Sequence, residues 1–113
     1  MISVIIFKSN KQTNGIKVTG HSGYAEAGSD IVCASISALA QSVCVGLENV
    51  LKVKPKIKIE DAYLECFVSK NTEKQNEKVQ LIFDTFEQSV NAILAGDKTL
   101  KKYIKLEVKN EIY

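Results

Sequence analysis

Short runs of alternating apolar and polar residues open the chain and predict a β-hairpin. Residues 2–7 are β-branched or aromatic, and residues 16–21 alternate between apolar and polar positions. The polar segment between them ends in Asn14-Gly15, a dipeptide typical of tight hairpin turns, so we expect the turn there. Alternation in the second strand places His21 on the more polar face of the sheet.

A 3.6-residue apolar period begins after Asp30 and predicts a long helix. Asp30 can provide the N-cap oxygen, and the period continues to about Leu51. Other sides of this helix are apolar as well, at Ile31, Val32 and Cys44. A helix that is apolar nearly all round has to be covered on more than one side. We therefore expect a homodimer in which a second copy supplies the extra cover.

The second half of the chain repeats the order of hairpin and helix. Residues 57–59 and 63–68 flank a tight turn and predict a second hairpin, and residues 103–108 alternate as a last strand. Between them, an amphipathic period over residues 79–94 predicts a second helix that Gly96 can terminate.

Thr72 and Gln75 offer a capping box for this second helix. The element order is therefore ββαββαβ, and hairpins pair their strands antiparallel. This order predicts an α+β fold, a single domain over residues 1–113 in which a mainly antiparallel sheet packs with two helices.

The composition is that of an ordinary globular domain, with no disordered or fibrous bias. A formal net charge of +2 is too small to indicate a nucleic-acid binder, and we expect no direct nucleic-acid binding. The apolar amino-terminal stretch is short and lacks the basic residues of a signal peptide, and no window approaches the ~20 apolar residues of a membrane span. We therefore expect no membrane partner.

The three cysteines include no close pair and no CxxC motif. This spacing disfavours a disulfide framework or a zinc site and favours a reducing cytoplasm. We expect no metal and no cofactor. Cys44, within the apolar helix, and Cys66, which alternates with Leu64 and Val68, are expected to fill the core as small apolar residues.

One histidine and one cysteine stand where acyl-transfer chemistry needs them. Cys33 is the third residue after the cap, and the free N–H groups and positive dipole of a first helical turn favour a thiolate. The same N–H groups could serve as an oxyanion hole. A glycine-bracketed loop can bring His21 within hydrogen-bond reach of Cys33 as general base and then acid. Gly20 before it leaves space for a peptide backbone.

Both residues also have a plain structural interpretation. Free cysteine is among the most buried residue types, and a lone histidine is more often structural or exposed than catalytic. Helix position and spacing alone therefore leave the pair open between a catalytic and a structural role.

The motifs around these residues are GHSGYA at 20–25, G at 28 and DIVCA at 30–34, followed by SISAL at 35–39. Together they closely resemble the signature of the ribosomal-processing cysteine protease family, Prp. Chain length and element order resemble this family from end to end, although the diagnostic residues are confined to positions 20–39.

The resemblance implies a homodimeric endopeptidase that removes a short N-terminal extension from the precursor of bacterial large-subunit ribosomal protein twenty-seven. On the same resemblance, removal of the extension exposes the arm that is needed in the peptidyl-transferase region. The resemblance also implies that His21 and Cys33 form a catalytic dyad. The family's glycine, aspartate and serine positions fall on Gly20, Asp30 and Ser37.

Several supporting roles are open. Ser37, one turn beyond Cys33, can contact substrate or orient the site, or it can bond back to the preceding turn. Asp30 is expected to be a cap first and a histidine orienter second, and no residue stands out as a third triad member. Ser22 stands where many family members have alanine, a small change.

Residues 22–29 form a loop bracketed by glycines. We hypothesise that it is a mobile lid which substrate orders over Cys33, with Tyr24 as an apolar contact for peptide side chains. The alternative is a rigid connector.

Two other function classes compete with the protease. One is a non-catalytic module of the same fold that binds ribosomes or an assembly factor, with Cys33 merely structural. The other is a metal or redox protein, which is weak because one histidine and scattered cysteines cannot supply a closed four-ligand site.

Overall fold

The computed structural model describes residues 1–26, 28–69 and 74–111, which form one sheet and two long helices. The elements in chain order are β1 (Ile2–Ser9), β2 (Gln12–Thr19), α1 (Ile31–Val45) with a π-helical extension (Gly46–Val50), β3 (Lys56–Glu60), β4 (Tyr63–Phe67), α2 (Asn76–Gly96), a 3-10 turn (Lys98–Lys102) and β5 (Ile104–Asn110). The predicted order ββαββαβ and the α+β class are confirmed.

The five strands lie in the order β3-β4-β2-β1-β5. Both hairpins and the β2–β4 pair are antiparallel, as the sequence predicted for most of the sheet. β5 is the exception, because it pairs with β1 in parallel, starting with Ile2 opposite Ile104. The chain reaches this edge only after α2 has crossed the sheet, so the parallel pairing follows from the crossover.

The core lies between the helices and one face of the sheet. Alternate strand residues are buried there, and both helices contribute one apolar stripe. The fully buried side chains of largest volume are Phe83, Ile6, Ile16, Ile36, Leu47, Val4, Val79 and Val90. Ile36 and Leu47 belong to α1 and its extension, so the sheet and α2 hold this helix firmly in place.

The first hairpin turns at Asn10-Lys11, and the prediction of a turn at Asn14-Gly15 was wrong. Asn10 and Lys11 both have positive φ, 52° and 65°, as a tight hairpin turn requires. Gly15 lies inside β2 because Phe67 of the neighbouring strand covers it. A Cβ at this position would lie 2.3 Å from Cδ1 of that ring.

A bulge accompanies this glycine, since the β1–β2 register shifts between Phe7 and Lys8. The side chain of Gln80 on α2 compensates for it. Its Oε1 accepts from the Thr13 amide at 2.8 Å, and its Nε2 donates to the Thr13 carbonyl at 2.9 Å. The helix thereby satisfies the irregular backbone of the hairpin.

The start of α2 differs from the predicted capping box. Thr72 lies outside the described residues. Gln75 is the N-cap but makes no side-chain cap hydrogen bond. Its Nε2 donates instead to the Leu51 carbonyl at 3.0 Å, which ties the two helices together.

One helix, Ile31–Val50, is long and apolar enough by composition to cross a membrane. The sequence-based expectation that no segment reaches this length overlooked it. The core helix of a soluble protein passes the same test, and the buried stripe of α1 packs on the sheet. The finding is therefore weak support for a membrane span.

The topology brings several chain segments to one end of the sheet. β2 ends beside the start of β1, with Ser3 opposite Thr19, and α1 begins at Ile31, after the connecting loop. The turn of the second hairpin reaches the same place, because the Gly20 amide donates to the Ala62 carbonyl at 2.9 Å. The candidate residues all lie at this end.

Candidate active site

The start of α1 is built around Asp30, the N-cap that the sequence predicted. Its backbone is extended, with φ −83° and ψ 98°, and its Oδ1 accepts from the Cys33 amide at 2.9 Å. Cys33 is therefore the third residue of the helix, half-buried, in the turn where the positive end of the dipole lies.

Asp30 is 8% exposed, and it is surrounded by donors. Burial raises the pKa of this carboxyl group, but hydrogen bonds from the Ser22 hydroxyl and from the Cys33 and Ala25 amides outweigh it and lower the pKa to about 2. The group is thus an ionised, acceptor-only carboxylate at neutral pH.

The cap limits one predicted role of the first turn. Because the Cys33 amide donates to Asp30, it is not free to stabilise an oxyanion in this conformation. The Ala34 amide donates to the Asp30 carbonyl at 3.1 Å. An oxyanion hole would need other donors or a change in the cap.

His21 lies on the helix side of the sheet and not on the polar face that alternation predicted. Gly20 causes the difference, because its φ of +87° ends the strand and turns the chain. His21 is exposed and lines the same groove as Cys33. Among the described residues no hydrogen bond joins these two side chains. The Cys33 Sγ accepts instead from the Ser22 amide at 3.2 Å.

This groove has a volume of about 180 Å³ and lies between α1 and the end of the sheet. Apolar side chains form much of its lining, and polar groups stand among them. The residues that line it are Ile2, Val18, Gly20, His21, Cys33, Ile36, Ser37, Ala40, Ile59, Glu60, Ala62, Tyr63 and Leu64. A concave apolar surface with a few polar groups beside a thiol suits a peptide ligand.

Gly20 permits a close backbone approach, and the neighbour is the chain itself. A Cβ on Gly20 would lie 2.6 Å from the carbonyl oxygen of Met1. The space that the sequence suggested for a bound peptide is therefore occupied in part by Met1, the residue that precedes β1.

The two remaining predicted site residues lie in different places. Ser37 lines the groove, and its Oγ accepts from Gln41 Nε2 at 2.9 Å. No hydrogen bond from its own hydroxyl proton is present among the described residues. A back-bond to the preceding turn is made by Ser35, whose Oγ donates to the Ile31 carbonyl. Tyr24 lies outside the groove lining, and its ring packs edge-on against Tyr103 with centroids 5.3 Å apart. Its substrate contact stays a prediction.

Ser22 connects these parts, although no role in the site was predicted for it. Its hydroxyl donates to Asp30 Oδ2 and accepts from the Tyr24 amide at 3.1 Å. A serine that accepts from the amide two residues later forms a turn typical of Ser and Thr, so this pattern was available in the sequence. Because the Ala25 amide also donates to Asp30, the first half of the hypothesised lid is tied to the helix start. The lid stays a prediction.

The other two cysteines are core residues, as expected. Cys44 of α1 and Cys66 of β4 are both buried. Their mutual hydrogen bond and the burial raise the pKa of the Cys66 thiol. Among the described residues no group of three or more metal-ligating side chains is present.

A half-buried thiol at a helix start, with a histidine across an open groove, is the arrangement that a thiol-dependent hydrolase requires. The family model for the cysteine protease Prp matches residues 1–105. This chain belongs to the Prp family of cysteine proteases. No curated protein sequence matches it significantly.

Solved structures agree with this assignment. The essential ribosomal processing protease Prp from S. aureus, bound to a covalently linked product peptide, is 25% identical with a TM-score of 0.83, covering 96% of this chain and 100% of that one. SMU.848 from Streptococcus mutans is 28% identical with a TM-score of 0.76, covering 98% and 96%.

The S. aureus protease with a substrate peptide is 24% identical with a TM-score of 0.78, covering 96% and 100%, and supports the fold alone. Family membership makes this chain a cysteine protease.

Proposed function

We propose that this protease removes the N-terminal extension from the precursor of bacterial large-subunit ribosomal protein twenty-seven, and so contributes to ribosome assembly. Cys33 is the nucleophile and His21 the general base and acid. The observation that carries the proposal is that both side chains line one groove at the start of α1. The ribosomal substrate is supported by the S. aureus relative, a ribosomal processing protease.

The proposed reaction follows from the chemistry of these two groups. His21 takes the proton of the Cys33 thiol, and the thiolate attacks the scissile carbonyl carbon. The resulting oxyanion collapses to a thioester as the C–N bond breaks, and His21 gives that proton to the leaving amine. His21 then takes a proton from water, whose oxygen attacks the thioester. Collapse of this second intermediate breaks the C–S bond, the carboxylic acid product loses its proton to solvent, and His21 returns its proton to the Cys33 thiolate.

The lack of a hydrogen bond between the His21 and Cys33 side chains among the described residues does not argue against this assignment. Catalytic hydrogen bonds are often long or absent without substrate and tighten in the complex. The imidazole is exposed and lines the same groove as Cys33. Binding of the precursor is expected to bring the two groups together.

The competing function is a module that binds ribosomes without catalysis. Family membership favours the protease, and so does the position of the cysteine, which is half-buried in a groove while the other two are in the core. Three free thiols suit the reducing cytoplasm, where we place the reaction.

We also propose a homodimer. α1 buries one stripe only, while Ile31 is 64% exposed and Val50 in its extension 72%. Leu81 of α2, 65% exposed, stands beside an apolar groove of about 280 Å³ between the helices. A second copy would remove this surface from water.

The experiment is cleavage of the purified precursor, with the new N-terminus of the product read by mass spectrometry. Cys33→Ala should abolish turnover, and His21→Ala should lower kcat by roughly 10²- to 10⁴-fold, the usual contribution of a general base. Both variants should stay folded, because neither side chain is in the core.

Cys44→Ser is the control. It should keep the activity with at most a modest loss of stability. Cleavage by Cys33→Ala or His21→Ala at a rate comparable to the wild type would rule out the proposed catalytic dyad. A Cys44→Ser protein that is folded but inactive would mean that the nucleophile has been misassigned.

A further inference from the structure

Ser22 is a buried polar residue between the histidine and the helix that carries the cysteine. It is 3% exposed, and both its hydroxyl and its backbone amide are engaged. The hydroxyl bridges Asp30 Oδ2 and the Tyr24 amide, and the backbone N–H donates to Cys33 Sγ at 3.2 Å. The same residue therefore contacts both the helix cap and the proposed nucleophile.

The direction of each hydrogen bond is determined by its partner. Asp30 is ionised and can only accept, so the Ser22 hydroxyl proton points at Oδ2. The lone pairs of the same oxygen are then free to accept from the Tyr24 amide. The two hydrogen bonds of the side chain hold the Cα of Ser22 beside the helix start, and this keeps its N–H within reach of Sγ.

We propose that Ser22 is a positioning residue for the nucleophile. Its hydroxyl, anchored on Asp30, holds the Ser22 N–H on Cys33 Sγ, and this hydrogen bond favours the thiolate over the thiol. The inference rests on the proposed function in taking Cys33 as the attacking group.

The Ser22 hydroxyl also favours the Cys33 thiolate in a second way. The Asp30 carboxylate lies in the turn that carries Cys33, and its negative charge disfavours a thiolate nearby. A hydroxyl proton directed at Oδ2 offsets part of that charge. The other titratable groups that line the groove are His21, Glu60 and Tyr63, and Ser22 contacts none of them through a hydrogen bond among the described residues. Loss of the Ser22 hydroxyl therefore removes no hydrogen bond from these three groups.

The test is the rate of alkylation of Cys33 by iodoacetamide as a function of pH, with the modified residue identified by mass spectrometry. At pH 6, Ser22→Ala should react about 3- to 10-fold more slowly than the wild type. At pH 10, where the thiolate is formed in both proteins, the rates should agree within about twofold.

Ser35→Ala is the matched control. It removes a serine hydroxyl from the same helix start, but within the described part of the chain that hydroxyl bonds only to the Ile31 carbonyl. Its alkylation profile should follow the wild type. Ser22→Thr keeps the hydroxyl and should restore the rate at pH 6.

Two results would overturn the proposal. One is a Ser22→Ala rate equal to the wild type at pH 6. The other is an equal slowing at both pH values, which would indicate a general change in access or folding. Asp30→Asn tests the route, because without the carboxylate the added Ser22→Ala change should alter the pH 6 rate by less than about twofold. A full effect in that background contradicts positioning through Asp30.

Alkylation needs no proteolysis, so the two proposals can fail separately. Cleavage by Cys33→Ala would end the assignment of the nucleophile and leave the Ser22 measurement standing as a property of the thiol. Normal dyad results with an unchanged Ser22→Ala profile would end the positioning role alone.

Discussion

Replacement of Gly20 by alanine tests how tightly the end of β2 is held against the start of β1. Gly20 has a φ of +87°, and a Cβ there would lie 2.6 Å from the Met1 carbonyl oxygen. The left-handed backbone costs an L-residue about 1–2 kcal/mol. The clash is with backbone, which cannot rotate away, and forced overpacking costs about 1–3 kcal/mol. Gly20→Ala should therefore lose about 2–5 kcal/mol of unfolding free energy.

Two other glycines separate these contributions. Gly23 has a φ of +73°, but a Cβ added there would have nothing within 4 Å, so Gly23→Ala should lose only the backbone cost, about 1–2 kcal/mol. Gly96 at the end of α2 has neither strain nor a neighbour, and Gly96→Ala should be neutral or slightly stabilising.

The assay is urea unfolding followed by circular dichroism. With a slope of about 1–3 kcal/mol per molar urea, the Gly20→Ala midpoint should fall below the Gly23→Ala midpoint by roughly 0.5 M or more. Cleavage by the folded Gly20→Ala protein should fall as well, because His21 follows directly. A Gly20→Ala protein as stable as Gly23→Ala would refute the close approach to Met1.

Two further predictions concern acid stability and assembly. The pKa of Asp30 is lowered to about 2 from an ordinary 3.8, so its stabilising effect is complete above about pH 4 and is lost as the pH falls from 4 to 2. In urea unfolding, the loss of stability of Asp30→Asn relative to the wild type should therefore be smallest at pH 2. An equal loss at pH 2 and pH 6 would contradict this prediction. The homodimer should appear in sedimentation equilibrium at micromolar concentration, and Leu81→Glu should weaken it. A stable wild-type monomer would reject it.

The periodicity of the sequence was sufficient for most of the fold. Both helices and all five strands were predicted from a period of 3.6 or 2 in the chain. In most of them this period reflects one buried face, whereas β3 is largely exposed and was recognised from the alternation of Ile57 and Ile59 with lysines. The strand order and the parallel pairing of β5 could not be predicted in this way, because periodicity indicates which face of a strand is buried but not which strand lies next to it.

The misplaced first turn has a physical cause. Asn14-Gly15 is a strong turn signal, but the same glycine was needed for space under Phe67. A glycine needed for the backbone conformation of a turn and a glycine needed to make space for a neighbouring ring cannot be distinguished in the sequence. The actual turn uses Asn10 and Lys11, of which only asparagine commonly adopts positive φ.

The main residues of the site were predicted from the sequence, but the hydrogen bonds that connect them were not. Helix position and the family signature pointed to Cys33 and His21. The predicted face of His21 was wrong because strand alternation stops at Gly20. The positive φ of this one residue cannot be inferred from the alternation of apolar and polar residues. Ser22 was overlooked because its role depends on Asp30, eight residues away, and on a fold that brings them together.

The groove draws on segments spread over more than half of the chain, from Ile2 at its beginning to Leu64 in β4. A growing polypeptide therefore has its cysteine long before it has a place to hold a substrate. Until the second hairpin has been synthesised and has paired with β2, the thiol stands at the end of an unsupported helix. Nascent and heat-unfolded copies of the protease should therefore lack the groove that holds a substrate, because its lining is complete only when the second hairpin has joined the sheet.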